Sequence, residues 1–570
     1  MNPFKEHIFR LLHKEIEISH SDIEVPPDPK MGDYAFPTFQ YAKKYSKNPA
    51  ELADELAKKI KPDDMIKAVD AKGPYLNFYI DKHRFSEYVL DTIAKERDAF
   101  GRPETESKGR VLIESPGPNT NKPLHLGHLR NMLLGSTLFN VMRFSGFDAH
   151  IINIVNDRGV HICKSMLAYQ KLGNGKTPGS EKRKPDHFVG DYYVEYAKLF
   201  EKDPDIELEV GELLRKWEAG DPETRKLWEM MNSWALEGFR QTYGKLHFSI
   251  EKEYLESESY LDGKNIVMDG LKRKIFVREA DGSIVADLTD RDLGKKVLLR
   301  ADGTSIYITQ DLFVAKSRYD DYKFDRMIYV VGNEQEHHFR VLFELFRMLK
   351  WEFADRCYHF SYGLVELPEG RMKSREGTVI DTDDLIDQMI GLAGKEVSSR
   401  YGNLPQDEIG RRAEAIGMAA IRFFFLKFDP LKNFVFDPKA SLSFEGETGP
   451  YLQYTYARIT SIFRKGCLDI NNAIGGADFS VLNEGQEFRL VKHLDKFPAV
   501  LEKITENYKT SLLANYAYEL AQAFNEFYHA CPILQETEEV KKFRLLLAQS
   551  VAVVLRTCFG LMSIDVLDEM

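Results

Sequence analysis

Between residues 114 and 128 the chain reads Glu114-Ser-Pro-Gly-Pro-Asn-Thr-Asn-Lys-Pro-Leu-His-Leu-Gly-His128. A β-branched run, Val111-Leu-Ile-Glu114, leads into this stretch, helical periodicity covers Leu126 to Phe144, and Ala149 to Val155 returns to strand character. The alternation predicts a βαβ unit of a parallel sheet, with the quoted stretch as the loop after its first strand. Open parallel sheets take their ligands there. A helix start adds unpaired N–H groups and a partial positive charge, which suit phosphate. His125 and His128 are three apart and share a side of the first turn, while Gly127 leaves room for a ligand or a base ring to approach the backbone. Taken alone, H-x-G-H also suits a helix cap plus a core histidine.

Other phosphate loops fail on inspection. No G-x-G-x-x-G follows the strand, and Gly175-Lys176-Thr177, which ends like a P-loop, has Gln170 where the leading glycine belongs. No further residues near the two histidines have the spacing of a zinc site.

Outward from the loop, the βαβ rhythm is interrupted by a more charged, less regular stretch from about 170 to 295, as by an insertion. It resumes with Val297 to Arg300 and Ser305 to Thr309 as a hairpin around Asp302-Gly303, a helix after Asp311, a buried strand at Met327 to Val331 and a helix over Phe339 to Leu349. Upstream, Phe4, Ile8, Leu11, Leu12 and Ile16 mark an amphipathic helix, and Tyr75 to Ile80 a strand, of a small α+β domain. Beyond about Asp383 helical periodicity dominates, as in an α-helical bundle. The expected domains are 1–105, 106–385 with the insertion, and 386–570.

Of 570 residues 43% are apolar, enough for several cores, and 78 Lys+Arg against 89 Asp+Glu give a net charge of -11. Bulk disorder is excluded, and binding of nucleic acid must come from local basic surfaces. Five scattered cysteines without a C-x-x-C pair suit a reduced, cytoplasmic setting. No secretory signal or membrane span is expected; Ser550 to Ser563, broken by Arg556, reads as a core helix.

Pro118-Asn119-x-x-Lys122-x-x-His125-x-Gly127-His128 resembles the HIGH signature of class I aminoacyl-tRNA synthetases, in the extended form of the arginyl-tRNA synthetases. Gly370-Arg-Met372-Lys-Ser-Arg375-Glu-Gly377 resembles the second class I signature, KMSKS, and Glu445 to Arg458 is similar to the helix entry that follows the catalytic domain in that family. The resemblance runs the length of the chain, in order. It implies a Rossmann-like α/β catalytic domain with a parallel sheet, a preceding tRNA-contacting α+β domain, and an anticodon-binding helical bundle.

The resemblance also implies a set of site residues. Lys122, His125 and His128 would be catalytic, and Pro118, Asn119, His125, Gly127, His128, Met372, Lys373, Ser374 and Arg375 would meet ATP. An arginine side chain ends in a planar cation with five donors, so its pocket needs carboxylates and amide oxygens. Tyr307, Asp311, Gln335, Asn153, Glu256, Asn119 and His128 match the family's arginine positions, Glu256 by the loosest alignment. Ser374 stands where the full signature has its second lysine, and the family implies that Lys122 supplies the missing cation. In the last domain Tyr451 and Arg458 are the tRNA-binding candidates, with Arg464 and Lys465 nearby. The implied partners are L-arginine, its tRNA and ATP, with Mg²⁺ carried by the ATP, no dedicated protein metal site, no membrane, and a monomeric enzyme. A cysteinyl enzyme and a catalytically inactive RNA-binding relative are the alternatives. The insertion looks too short and irregular for an editing domain, and a site satisfying a guanidinium has less need of one.

Overall fold

The protein is described by a computed structural model covering residues 2–570 apart from 104–106, 261, 305, 367, 369–380, 402–403 and 473. Strands β1 (Tyr34–Pro37), β2 (Ile66–Lys72) and β3 (Tyr75–Ile80) form a small antiparallel sheet in the order β1-β3-β2. Helices α1 (Pro3–His13), α2 (Pro49–Lys59) and α3 (Lys82–Glu96) accompany it. α1 begins where the Asn2 side chain accepts the Phe4 N–H and buries Phe4, Ile8 and Leu12, spaced four apart.

The larger sheet is wholly parallel. Its members are β4 (Arg110–Glu114), β5 (Asp148–Val155), β6 (Lys252–Leu255), β10 (Arg326–Gly332) and β11 (Cys357–Tyr362), in the order β11-β10-β4-β5-β6. Chain order runs one way from β4 and the other way from β10, so the strand order reverses between these two neighbours, where a crevice opens at their C-terminal ends. Helix α4 (Leu126–Phe144) crosses over from β4 to β5, and α5 (Val160–Leu172) follows β5. Along β4, Val111 and Ile113 pack with Leu134 and Leu138 of α4, whereas Leu112 packs on the other face.

Between β5 and β6 lie α6 (Pro185–Lys202), α7 (Ile206–Glu218) and α8 (Pro222–Lys245). This stretch is therefore helical rather than irregular. Its charged residues are the exposed faces of helices whose inner stripe, Ile206, Val210, Leu213 and Trp217 in α7, is buried. It also supplies the sheet's edge strand β6.

After β6 come α9 (Gly263–Lys272) and a three-stranded antiparallel sheet of β7 (Val277–Arg278), β8 (Ile284–Leu288) and β9 (Gly294–Leu299). The expected turn at Asp302-Gly303 forms, with Gly303 at φ +79° donating to the Arg300 carbonyl at 2.9 Å. The expected hairpin does not: β9 pairs with β8, and the chain enters α10 (Tyr307–Tyr322) where a second strand was anticipated. Burial of Ile308, Leu312, Ala315 and Tyr319 at helical spacing outweighs the short β-branched run. Ser305 lies outside the described residues.

Helix α11 (Glu336–Met348) joins β10 to β11, and a crossing piece β12 (Val365–Glu366) pairs with β13 (Phe434–Val435). The remainder is helical: α12 (Thr382–Arg400), α13 (Gln406–Leu426), α14 (Gly449–Lys465), α15 (Gly485–Asp495), α16 (Phe497–Asn507), α17 (Ser511–Ala530) and α18 (Glu538–Met562). α18 is long and apolar enough to cross a membrane by length and composition alone, but 83% of its most apolar window is buried in the protein. Its Arg556 reaches Asp98, just beyond α3, at 2.6 Å. One core runs from the first sheet through α18 to the α4 face of the parallel sheet.

Candidate active site

The crevice beyond β4 and β10 is a cavity of about 720 Å³ whose walls include Asn119, Lys122, His125, Gly127, His128, Glu256, Tyr307, Asp311 and Gln335. Residues from more than two hundred positions apart meet there because the switch in strand order brings the ends of β4 and β10 together.

One wall is the start of α4. His125 is the cap residue, extended at φ -117° and ψ 177°, and its Nδ1 accepts the Gly127 N–H at 3.1 Å. His128 Nδ1 in turn accepts the His125 N–H at 3.1 Å, and the rings lie 4.0 Å apart. Both Nδ1 atoms are thereby committed as acceptors, so a neutral ring carries its proton on Nε2. Burial, with Lys122 adding to it, lowers His125 to about 3; burial, His125 and Lys122 take His128 well below its ordinary value. The histidines therefore act as neutral N–H donors, not as cations. The space at Gly127 is filled from within: a Cβ there would stand 2.9 Å from His125 Cε1, so the glycine admits the neighbouring imidazole rather than a ligand.

The positive charge on this wall is Lys122. Its pKa is lowered by burial, and no carboxylate among the described residues pairs with it. Pro118 and Asn119 are held against the end of β5: the Pro118 carbonyl accepts the Asn156 N–H at 3.0 Å, and Thr120 N–H donates to the Asn156 carbonyl at 3.2 Å. Asn153 is fully buried beneath the loop, its Oδ1 accepting the Gly117 N–H at 2.9 Å, so it braces the loop from below rather than lining the cavity.

The opposite wall is acidic. Asp311, in the second turn of α10, lies 2.8 Å from His338 Nε2, while Tyr307 at the head of the same helix is 70% exposed. Gln335 follows β10 on the rim. Glu256, after β6, is buried, and burial lifts its carboxyl to about 7 against the pull of Arg158, whose Nη1 lies 3.8 Å away. Arg158 is itself fixed over Tyr260, 4.1 Å from the ring centre, and by Glu218 at 2.6 Å. Deeper, Glu114 pairs with Arg318, both buried.

A second cavity, of about 760 Å³, lies between α12, α14 and α17 and is lined in part by Arg400, Tyr451, Tyr454, Arg458 and His529. Asn525 joins the two sequence-derived candidates here: its Nδ2 donates to the Tyr451 hydroxyl at 2.8 Å, and its Oδ1 accepts from Arg458. The Arg458 guanidinium also stacks on Tyr454, 4.8 Å from its centre.

Residues 90–438 match the family model "tRNA synthetases class I (R), catalytic domain", residues 2–80 the "Arginyl tRNA synthetase N terminal domain" and residues 452–570 the "DALR anticodon binding domain". The chain belongs to the arginyl-tRNA synthetases. It is 45% identical over 560 residues to the arginine–tRNA ligase of Treponema denticola, covering 96% of this chain and 95% of that one. Its identity to the arginine–tRNA ligase of Bacteroides thetaiotaomicron is 45% over 565 residues, 95% of this chain and 94% of the other. In fold it is similar to the arginyl-tRNA synthetase of Thermus thermophilus, with a TM-score of 0.82 at 24% identity over 100% of this chain and 99% of that one. Membership of the arginyl family sets aside the cysteinyl alternative.

Of the residues expected from the arginyl-tRNA synthetase signatures, Met372, Lys373, Ser374 and Arg375 lie outside the described residues. The other catalytic, ATP and arginine candidates divide between the two walls, with Asn153 and Pro118 beneath them, while Tyr451 and Arg458 lie at the second cavity. Sequence reading missed the residues that hold these walls. Arg130, buried in α4, donates to the carbonyls of Pro430 and Lys432 at 2.9 Å each. Asn131 receives Ser115 Oγ at 2.5 Å and donates to the Val330 carbonyl, tying α4 to the ends of β4 and β10. His338 and Arg158, which partner the two carboxylates, were also missed. A histidine directly before a phenylalanine at a helix start, as His338 is before Phe339, carries no local sign of its partner.

Proposed function

We propose that this arginyl-tRNA synthetase joins L-arginine to ATP in the β4–β10 cavity and then transfers it to its tRNA. The observation that carries the reading is the division of one cavity into a wall of N–H donors plus an ammonium without a carboxylate partner among the described residues, and a wall of carboxylates. ATP lies with its phosphates toward His125, His128 and Lys122, and arginine with its guanidinium toward Asp311 and Glu256, flanked by Tyr307 and Gln335. The carboxylate oxygen of arginine attacks the α-phosphorus, the bond to the β-phosphate oxygen breaks, and pyrophosphate leaves; arginyl-adenylate remains. A ribose hydroxyl of the terminal adenosine, the 2′-OH on the class I pattern, then attacks the carbonyl carbon and releases AMP. No covalent enzyme intermediate is required.

Charge builds on phosphate oxygens during the first step. Two Nε2–H groups already oriented by backbone bonds, with the α4 N-terminus behind them, meet it without reorganising. Lys122 supplies the formal positive charge, the role left vacant by Ser374. Both groups are donors and not metal ligands, so Mg²⁺ would enter on the ATP phosphates and be held by them, screening their charge. The cavity around Tyr451, Tyr454 and Arg458, with stacking faces and cations, takes bases of the anticodon region. The enzyme works as a monomer in the cytoplasm on this reading.

The test is arginine-dependent ATP–pyrophosphate exchange, run against the other amino acids and with and without arginine tRNA. Exchange with arginine supports the reading; exchange with a different amino acid overturns the assignment of the acidic wall. Absence of any exchange favours an RNA-binding relative without catalysis.

A further inference from the structure

Outside the cavity, charged side chains are buried where α6, α8 and the start of α12 meet. Lys184 Nζ donates to both oxygens of Asp186, at 2.8 and 2.9 Å, and to the Thr242 hydroxyl at 2.8 Å. It also lies 3.0 Å from Asp383 Oδ2, the oxygen to which Thr242 Oγ1 donates at 2.7 Å. Lys245 Nζ stands 3.1 Å from Asp383 Oδ1, and His187 Nε2 is 3.8 Å from Asp383 Oδ2. Asp186 and Thr242 are fully buried and Asp383 nearly so. Burial works to raise the Asp383 carboxyl, but His187, Lys184 and Thr242 hold it well below the usual carboxylate range.

Ligand atoms of Asp186, His187 and Asp383 come within 4.8 Å of one another, as they would around a metal ion. The place of a cation is already taken, because the Lys184 ammonium contacts both carboxylates. The cluster is a lock of the chain's own charges.

What it locks is the backbone of the phosphate wall. Asp383 is the second residue of α12; the first, Thr382, donates its N–H to the Leu124 carbonyl at 2.8 Å, and Asp381 forms an antiparallel bridge with His125. From the other side comes α6. Its Gly190, one turn beyond Asp186, lies so close that a Cβ would stand 2.6 Å from Pro123 Cδ and 3.6 Å from Lys122 Cα. Gly238 of α8 is equally constrained, since a Cβ there would stand 2.2 Å from Asp186 Oδ1. The segment Lys122-Pro123-Leu124-His125 is thus pinched between the two helices that the cluster ties together.

We propose that Asp383 is a positioning residue for adenylate formation: with Lys184, Asp186 and Thr242 it fixes α6 against α12, and so fixes the backbone that points Lys122 and His125 into the cavity. The inference rests on the reading of that cavity as the site of adenylate formation. Apolar helix faces tolerate sliding, whereas a hydrogen-bonded ion cluster specifies one register. Misplacement of reacting groups by about 1 Å costs on the order of 100-fold in rate even when the change is remote from the chemistry.

The experiment is arginine-dependent pyrophosphate exchange in the presence of arginine tRNA, with kcat expressed per active site from a burst titration of adenylate, alongside the KM for arginine and the melting temperature. Asp383→Asn is expected to lower kcat per active site about 10- to 100-fold with the arginine KM unchanged. Thr242→Val, which keeps every charge and removes one hydroxyl, is expected to lower it in the same sense by less. A purely structural role would reduce the melting temperature and the fraction of active sites while leaving kcat per active site at the wild-type value in both variants, and that result overturns the inference. If Asp383→Asn does not fold, Thr242→Val decides, a normal kcat again overturning it. Failure of the wild-type chain itself to exchange pyrophosphate would bring down the reading of the cavity, and this inference with it.

Discussion

The two walls of the cavity are built on opposite principles. The wall at the start of α4 is complete before any ligand arrives: each histidine accepts a backbone N–H, each ring is held neutral, and Lys122 has no carboxylate partner among the described residues. The acidic wall is filled by partners from the protein itself, the His338 ring on Asp311, Arg158 near Glu256 and Arg318 on Glu114. On the proposed reading phosphate would add contacts to the first wall, whereas a guanidinium would have to take over partners at the second. On that reading the difference teaches that rate and selectivity are separable here: the first wall would be aligned for charge that develops in the reaction, the second for exchange of the protein's own partners for a guanidinium.

The largest test of this contrast is on the phosphate wall. Lys122→Ala and His128→Ala are each expected to slow adenylate formation about 100- to 1000-fold with little change in arginine affinity, measured by single-turnover chemistry and by calorimetric titration of arginine. Near-normal rates would remove the distinction between the walls. Next, Asp311→Ala is expected to raise the arginine KM about 10- to 100-fold, the loss of a charge-assisted pair, and to alter kcat less. An unchanged KM would show that the guanidinium lies elsewhere.

A pH series sharpens the comparison further. With burial lifting Glu256 to about 7 from 4.5, the arginine-free protein holds a proton there that the carboxylate must lose to receive a guanidinium. The arginine KM should therefore rise about tenfold between pH 8 and pH 6, and arginine binding near neutrality should release protons, seen as a dependence of the calorimetric heat on buffer ionisation. The same shift fixes the sign for stability. Protonated Glu256 stabilises the arginine-free fold fully below 4.5, and that contribution is lost as pH rises through about 7. Glu256→Gln should flatten both dependences; a wild-type KM profile in that variant would assign the proton to another group.

The smallest effect is expected far from both walls. Arg458→Ala should raise the tRNA KM about fivefold, the order of one stacking contact, while arginine affinity stays as it was. A loss of arginine affinity would mean that the C-terminal cavity is coupled to the catalytic one.

Much of the scaffold was legible in advance. Helix α4 runs over the very residues whose periodicity announced it, and β3 and β5 fall where β-branched and aromatic runs placed them, because these elements are encoded by neighbours within a few positions. The hairpin anticipated across Asp302-Gly303 failed for the complementary reason. A short run such as Ser305 to Thr309 suits strand or helix, and burial of Ile308 and Leu312 against the sheet made the choice. Gly127 shows the same limit within the site: its smallness was legible, but its use, to admit the His125 ring, was not.

By itself, the sequence determined the order of the elements, the loop before α4 and the kinds of chemistry available: imidazole and ammonium in one segment, phenol, amide and carboxylate in others. Capping, periodicity and motif spacing act over a few residues and are written there directly. Only the tertiary structure decided the protonation of His125 and His128, the partners set against Asp311 and Glu256, and the charged lock that draws Thr242 to Asp383 across 141 residues. Those depend on burial and on partners brought together by the sheet, and neither desolvation nor a long-range contact has a local signature in the chain.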